Sequence, residues 1–197
     1  MPVLLDLRPS AQQVTVLLAG VTDDRLRDPT PCPDYTVADL LAHLMGLCVA
    51  FREAGRKQLG PETAVDPGST RPDLDPLWRS RLPQRLDELV AVWQRPAAWQ
   101  GETQAGGVTL SGETAGLVAG NELLLHGWDL ARATGQDYLP DVASLHASHG
   151  LLSQSTDPAD REGLFGPVVP VPQGASLLSR VVGLAGRTPG WTPTDTC

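Results

Sequence analysis

Apolar residues recur at spacings of three and four along four long stretches of this chain, which is the period of an α-helix. In the first, residues 4–21, Leu7, Ala11, Val14 and Leu18 share one face. Gly20 and the polar run Thr22-Asp23-Asp24 end it. The second begins at Thr36, an N-cap type with Asp39 three residues on as a capping-box partner. From there Val37, Leu40, Leu41, Leu44, Leu47, Cys48 and Phe51 form a stripe that runs to about Arg56. The third covers residues 77–94, carried by Leu82, Leu86, Leu89, Val90 and Trp93. Pro83 falls early in it, so the regular helix is expected to start nearer that proline, where a first turn tolerates the ring. The fourth runs over residues 111–134 and is closed by Gly135 as a residue just past the helix end.

Between these stretches lie connections of two kinds. Thr30-Pro31-Cys32-Pro33-Asp34-Tyr35 is a rigid linker whose prolines fix φ. Residues 60–76 form a polar Pro/Gly-rich loop, and residues 101–110 a loop with a short strand pair near Val108. A shorter fifth helix is expected over residues 142–153. The Pro/Gly-rich tail, about 156–197, holds one or two apolar helical turns at residues 175–185. Four amphipathic patterns without a strand series argue for an all-α four-helix bundle, with a short extra helix and a tail, in one domain over residues 1–197.

The polar exceptions to this pattern carry the chemistry. Glu122 and His126 stand four apart and so share a helix face. An exposed i,i+4 pair would be unremarkable, but residues 116–130 are apolar almost all round, which marks a buried helix. A buried carboxylate beside a buried imidazole is costly unless something partners both. His43 repeats the situation inside the stripe of the second helix, where a histidine serves either as a satisfied core residue or as a ligand. Two imidazoles and one carboxylate on two helices of a bundle can hold a divalent metal and leave a position open for water or substrate. Zinc, nickel and ferrous iron all fit these donors. Asp129, one turn past His126, either orients a ligand imidazole or pairs with Arg132. Trp128 reads as a packing anchor, and His146 and His149 as surface residues.

Composition narrows the function. Hydrophobic residues make up 41% of the 197 and charged residues 19%, as in a folded globule. The net charge of −8 and the absence of Lys/Arg clusters speak against nucleic acid and anionic membranes as partners. Cys32, Cys48 and Cys197 fit neither a disulfide framework nor a CxxC zinc signature. Cys48 reads as a small hydrophobe. Cys32 reads as structural, with reactivity open to it if it faces a helix N-terminus. The start Met1-Pro2-Val3-Leu4-Leu5-Asp6 lacks the features of a signal peptide, and no window reaches about 18 apolar residues, so a cytoplasmic location is the expectation.

Four stretches resemble a known family. Thr30-Pro31-Cys32-Pro33-Asp34-Tyr35-Thr36-Val37-Ala38-Asp39-Leu40-Leu41-Ala42-His43-Leu44 is similar to the start of the second helix in the mycothiol-dependent maleylpyruvate isomerase-like proteins of the DinB-like superfamily. Glu122-x-x-x-His126-Gly127-Trp128-Asp129-Leu130-Ala131-Arg132-Ala133-Thr134-Gly135 resembles that family's other hallmark. Phe165-Gly166-Pro167-Val168-Val169-Pro170-Val171-Pro172 and Gly183-Leu184-Ala185-Gly186-Arg187-Thr188-Pro189-Gly190-Trp191 resemble its tail. The resemblance implies a DinB-like bundle that binds a divalent metal, usually zinc, on His43, Glu122 and His126. It implies mycothiol as a thiol co-substrate; the reading built on it is attack of the thiolate on a small electrophile, giving S-transfer or isomerisation, with Asp129 or another pocket carboxylate to shuttle the proton. The isomerase of the family continues into a second α/β domain, whereas this chain carries only the tail. The resemblance therefore supports the metal site more strongly than maleylpyruvate isomerisation, and a non-catalytic ligand-binding or regulatory module is the alternative. A homodimer is compatible with a bundle of this size.

Overall fold

The structure, a computed structural model, describes residues 4–65, 69, 71–154, 156–157 and 166–193. Phe165 and Cys197, both singled out in the sequence, lie outside the described residues. Among those described, the helices are α1 (Arg8–Leu18), α2 (Val37–Arg56), the single turn α3 (Pro61–Ala64), α4 (Trp78–Trp93), α5 (Gly112–Thr134), α6 (Val142–Leu152) and α7 (Leu177–Leu184). Strands β1 (Glu102–Ala105) and β2 (Val108–Ser111) pair antiparallel, with Glu102 opposite Ser111 and Ala105 opposite Val108.

Four helices build the bundle. α1 and α2 each contact both α4 and α5, so α1 and α2 occupy opposite corners. Their inward faces are the stripes read from the sequence. Leu40, Leu41, Leu44, Leu82, Leu86, Leu123 and Leu130 are buried together with Val14 and Trp93. α5 is apolar all round because it is covered twice. Leu123 and Leu130 face the bundle, while Leu124 and Leu125 join Leu145, Leu152, Val181 and Ala185 of the α6–α7 layer. No helix among the described residues is long and apolar enough to cross a membrane.

Local chemistry sets the boundaries that matter for the site. α2 starts on the expected capping box: Asp39 N donates to Thr36 Oγ1 at 3.2 Å, and Thr36 N donates to Asp39 Oδ2 at 2.9 Å. This box fixes the helix start seven residues before His43. Replacing Thr36 by alanine is expected to cost about 1 kcal/mol, measured by denaturant unfolding, because one helix-end N–H loses its acceptor. α5 begins on Ser111, whose side chain accepts from Thr114 N, and ends at Gly135 with φ 68°.

Two boundaries differ from the sequence expectation. α4 starts at Trp78, ahead of Pro83 rather than at it. An internal proline costs about 3 kcal/mol. Burying Trp78 and Leu82 at 2% and 0% exposure returns about 1.5–3 kcal/mol each, so the helix carries the ring. α1 is shorter than its apolar pattern, spanning Arg8–Leu18. The expected strand pair near Val108 is present as a hairpin closed by Gly106-Gly107, with φ 59° and 78°, a two-residue turn that needs positive φ at both positions. The hairpin is tied to the bundle by Thr103 Oγ1, which donates to Ala54 O at 2.6 Å, and by Gly107 N, which donates to Thr63 O at 2.9 Å.

Candidate metal centre

α2 and α5 are neighbours in the bundle, and their polar exceptions meet. Glu122 and His126 lie one turn apart on α5, with Glu122 Oε2 3.0 Å from His126 Nε2. His43 on α2 brings its Nε2 to 3.9 Å from the same oxygen. One ligand atom from each of the three lies within 4.8 Å of the others. The two imidazoles stand edge to face with ring centres 4.9 Å apart, and Tyr35 covers the far side of His43 at 5.4 Å. His126 is 4% exposed, while the side chains of His43 and Glu122 retain 11% and 19%. The cluster thus sits at the edge of the core, with access to solvent on one side.

The two histidines are held differently. His126 Nδ1 lies 3.0 Å from Asp129 Oδ2, which takes up that nitrogen and leaves Nε2 turned to Glu122. His43 Nδ1 is buried without a hydrogen-bond partner, so packing beneath Tyr35 rather than a carboxylate sets that ring. Asp129 itself is fully buried. Its partner is Arg187, whose Nε reaches Oδ1 at 3.0 Å and whose Nη2 reaches Oδ2 at 2.9 Å.

Arg132, which the sequence offered as the partner of Asp129, points elsewhere: Nε and Nη2 donate to Trp191 O at 3.1 and 2.6 Å. A carboxylate buried this completely takes the guanidinium that arrives from the interior side, and Arg187 follows the buried α7. Sequence reading missed Arg187. The signal was present: a lone arginine between the apolar turn Val181-Val182 and Trp191, with an acidic residue inside an apolar helix in need of a cation.

Electrostatics follow from this geometry. Burial raises the Glu122 carboxyl, but the imidazoles of His126 and His43 close to it outweigh this and hold the group well below the usual carboxylate range. Burial lowers the His126 imidazolium, but Asp129 and Glu122 on either side outweigh it, and the net shift is upward. Burial likewise opposes the Asp129 charge, and the Arg187 guanidinium with His126 reverses the sign, so Asp129 titrates low. Cys32 also belongs to this neighbourhood, with a ligand atom within 4.8 Å of those of His126 and Asp129. Burial, with Asp129 in support, pushes its thiol up to about 12, so it stays protonated at neutral pH.

A pH profile of the metal-free protein is therefore expected to show two flanks. The charge on His126 stabilises the fold below the ordinary imidazole range, and that contribution is lost as pH rises through the raised value. Glu122 and Asp129 contribute above the ordinary carboxylate range and lose that contribution as pH falls through their lowered values. Calorimetry after chelation should give a higher Tm near about pH 6 than near about pH 9, bracketing the imidazole range. A flat or rising Tm over that interval would contradict the arrangement.

A cleft of about 660 Å³ opens beside the cluster, with Arg27, Thr30, Tyr35, Arg187, Thr188 and Trp191 among its walls. Two of its walls lead to the cluster: Tyr35 touches His43 directly, and Arg187 reaches His126 through Asp129. Of the remaining sequence candidates, Trp128 is buried at 4% exposure and Cys48 at 1%. His146 is exposed, and half-buried His149 lies beside Ser153.

Fold and site together define a helical bundle with a histidine–carboxylate cluster between two of its core helices. Residues 7–131 match the family model described as the mycothiol maleylpyruvate isomerase N-terminal domain, and the chain belongs to that family. An uncharacterized protein of Mycobacterium tuberculosis is 36% identical over 140 residues, a match that covers 64% of this chain and spans 65% of the relative's length. A second uncharacterized protein of Mycobacterium tuberculosis is 29% identical over 213 residues, covering 98% of this chain and 78% of the relative. Two solved structures share the fold. The mycothiol-dependent maleylpyruvate isomerase superposes with a TM-score of 0.61 at 18% identity. A histidine-to-alanine mutant of it gives 0.64 at 16%. Each match covers 92% of this chain and 86% of the other.

Proposed function

We propose that this protein holds a divalent cation, zinc in the first instance, on His43, Glu122 and His126, and carries out thiol-dependent S-transfer or isomerisation of a small electrophile with mycothiol as the thiol. The observation that supports this reading is the convergence of three ligand atoms from two neighbouring helices within 4.8 Å of one another beside an open cleft. The donor set fits such a group. Two imidazole nitrogens and one carboxylate oxygen match the ligands of catalytic zinc sites that keep a position open. Membership of the family, and the name of the isomerase that shares the fold, support the thiol.

A cation bound there would supply the positive charge that favours a thiolate over a thiol at neutral pH. The chain's own residues do the rest. Asp129 holds the proton of His126 on Nδ1 and keeps Nε2 as the donor atom. Its oxygens are engaged by Arg187 and His126, so it orients and does not carry a proton to substrate. Glu122, ionised and mostly buried, supplies the negative ligand.

The test uses zinc-loaded protein with mycothiol and a panel of small electrophiles, followed by mass spectrometry of the products. Thiol-dependent consumption that vanishes in His126→Ala supports the reading. Stoichiometric metal with no turnover across the panel contradicts it, and tight binding of ligand without product would then favour a non-catalytic module.

A further inference from the structure

We infer that Arg187 is a positioning residue for the cation site, acting through Asp129 on His126. The inference rests on the metal-site reading above and extends it to a part of the chain beyond residues 7–131, the region that the family model matches. Three observations carry it. Arg187 is 9% exposed and grips both oxygens of Asp129, with Nε at 3.0 and 3.2 Å and Nη2 at 2.9 Å. The oxygen that accepts from Nη2, Oδ2, is the one that faces His126 Nδ1 at 3.0 Å, so one guanidinium fixes the carboxylate plane and the carboxylate fixes the ring. Arg187 is in turn fixed by its own segment, since Nη1 donates to Ala185 O at 3.1 Å and its backbone N donates to Val182 O at 3.1 Å.

That segment is built to deliver the side chain. Val181, Val182 and Ala185 bury α7 at 0–1% exposure. Gly186 then turns the chain at φ 81°, where an added Cβ would meet the Gly166 backbone at 2.8 Å. A few residues on, Arg132 of α5 clamps the Trp191 carbonyl. A buried ion pair that served only the fold would have no reason to share its carboxylate oxygen with a cation-site imidazole. Outer partners that orient a ligating histidine this way govern metal affinity, commonly by 10–100-fold.

The test is zinc affinity, measured by competition with a chromophoric chelator, for wild type, Arg187→Met, Asp129→Asn and the double variant, each with circular dichroism as a fold control. The expected result is about 10–100-fold weaker zinc binding in Arg187→Met. Added guanidinium ion should restore part of it, and the double variant should bind no more weakly than Asp129→Asn alone. In the cobalt-loaded proteins the visible spectrum of Arg187→Met should shift away from wild type. If Arg187→Met does not fold, the double variant strands no buried charge and still decides: affinity equal to Asp129→Asn supports the relay through Asp129, and a further loss overturns it. Wild type that holds zinc alongside an Arg187→Met of equal affinity overturns this inference alone. Wild type that holds no zinc overturns the metal-site reading and this inference with it.

Discussion

His126→Ala is expected to abolish metal binding: elemental analysis of the purified variant should fall from about one equivalent to near none, because a three-ligand site loses a nitrogen that no neighbour replaces. His126 is the hub of the cluster. Its Nε2 faces Glu122 at 3.0 Å and its Nδ1 faces Asp129 at 3.0 Å, so alanine removes the donor and the nearest partner of Glu122, while Asp129 keeps Arg187. The bundle should survive, because Leu123 and Leu130 still fill the core on either side of the gap. His43→Ala should lose the metal with a smaller structural cost, since His43 Nδ1 makes no hydrogen bond. Thiol-dependent turnover should disappear in both. Equal metal loads in wild type and both variants would show that the ligands are wrong.

Asp129→Ala is the substitution expected to harm stability most. It leaves the Arg187 guanidinium buried with no counter-charge and removes the acceptor of His126 Nδ1. Breaking a buried pair from one side costs about 3–5 kcal/mol. Against a total stability of about 5–15 kcal/mol that is a large share. For a chain of this length it corresponds to a fall in Tm of roughly 10 °C. Asp129→Asn should cost less, because the amide still accepts from the imidazole. Arg132→Ala should cost less again, since its bonds end on a single carbonyl in a part-buried position. Urea unfolding of the metal-free proteins gives the ranking, and an Asp129→Ala within about 1 kcal/mol of wild type would show that the buried pair is not what holds the α7 segment.

The bundle was legible because its signals are local. The stripe Leu40-Leu41-Leu44 gave the inward face of α2, Thr36 with Asp39 gave its start, and Gly135 gave the end of α5. The same logic brought His43, Glu122 and His126 forward, since each is a polar residue at a position that the helical period assigns to the interior. What was not legible depends on partners far along the chain. Arg187 reaches Asp129 across 58 residues and a Pro/Gly-rich tail, and no periodicity relates the two. Arg132 was the nearer candidate at i+3, yet it is drawn to Trp191 O. Pro83 shows a different limit. The ring argued for a later start to α4, but the burial of Trp78, a tertiary effect, overrode the local penalty. Cys32 illustrates both limits. Its rigid linker was evident, whereas its approach to His126 and Asp129 exists only once α2 and α5 are packed.

The most direct test is anomalous diffraction at the zinc edge from crystals of the zinc-loaded protein. The account predicts one peak between α2 and α5, with Nε2 of His43, Nε2 of His126 and the Glu122 carboxylate each at about 2.0–2.2 Å from it. A peak that leaves either imidazole unbound, or a cation held at some other part of the chain, would contradict it.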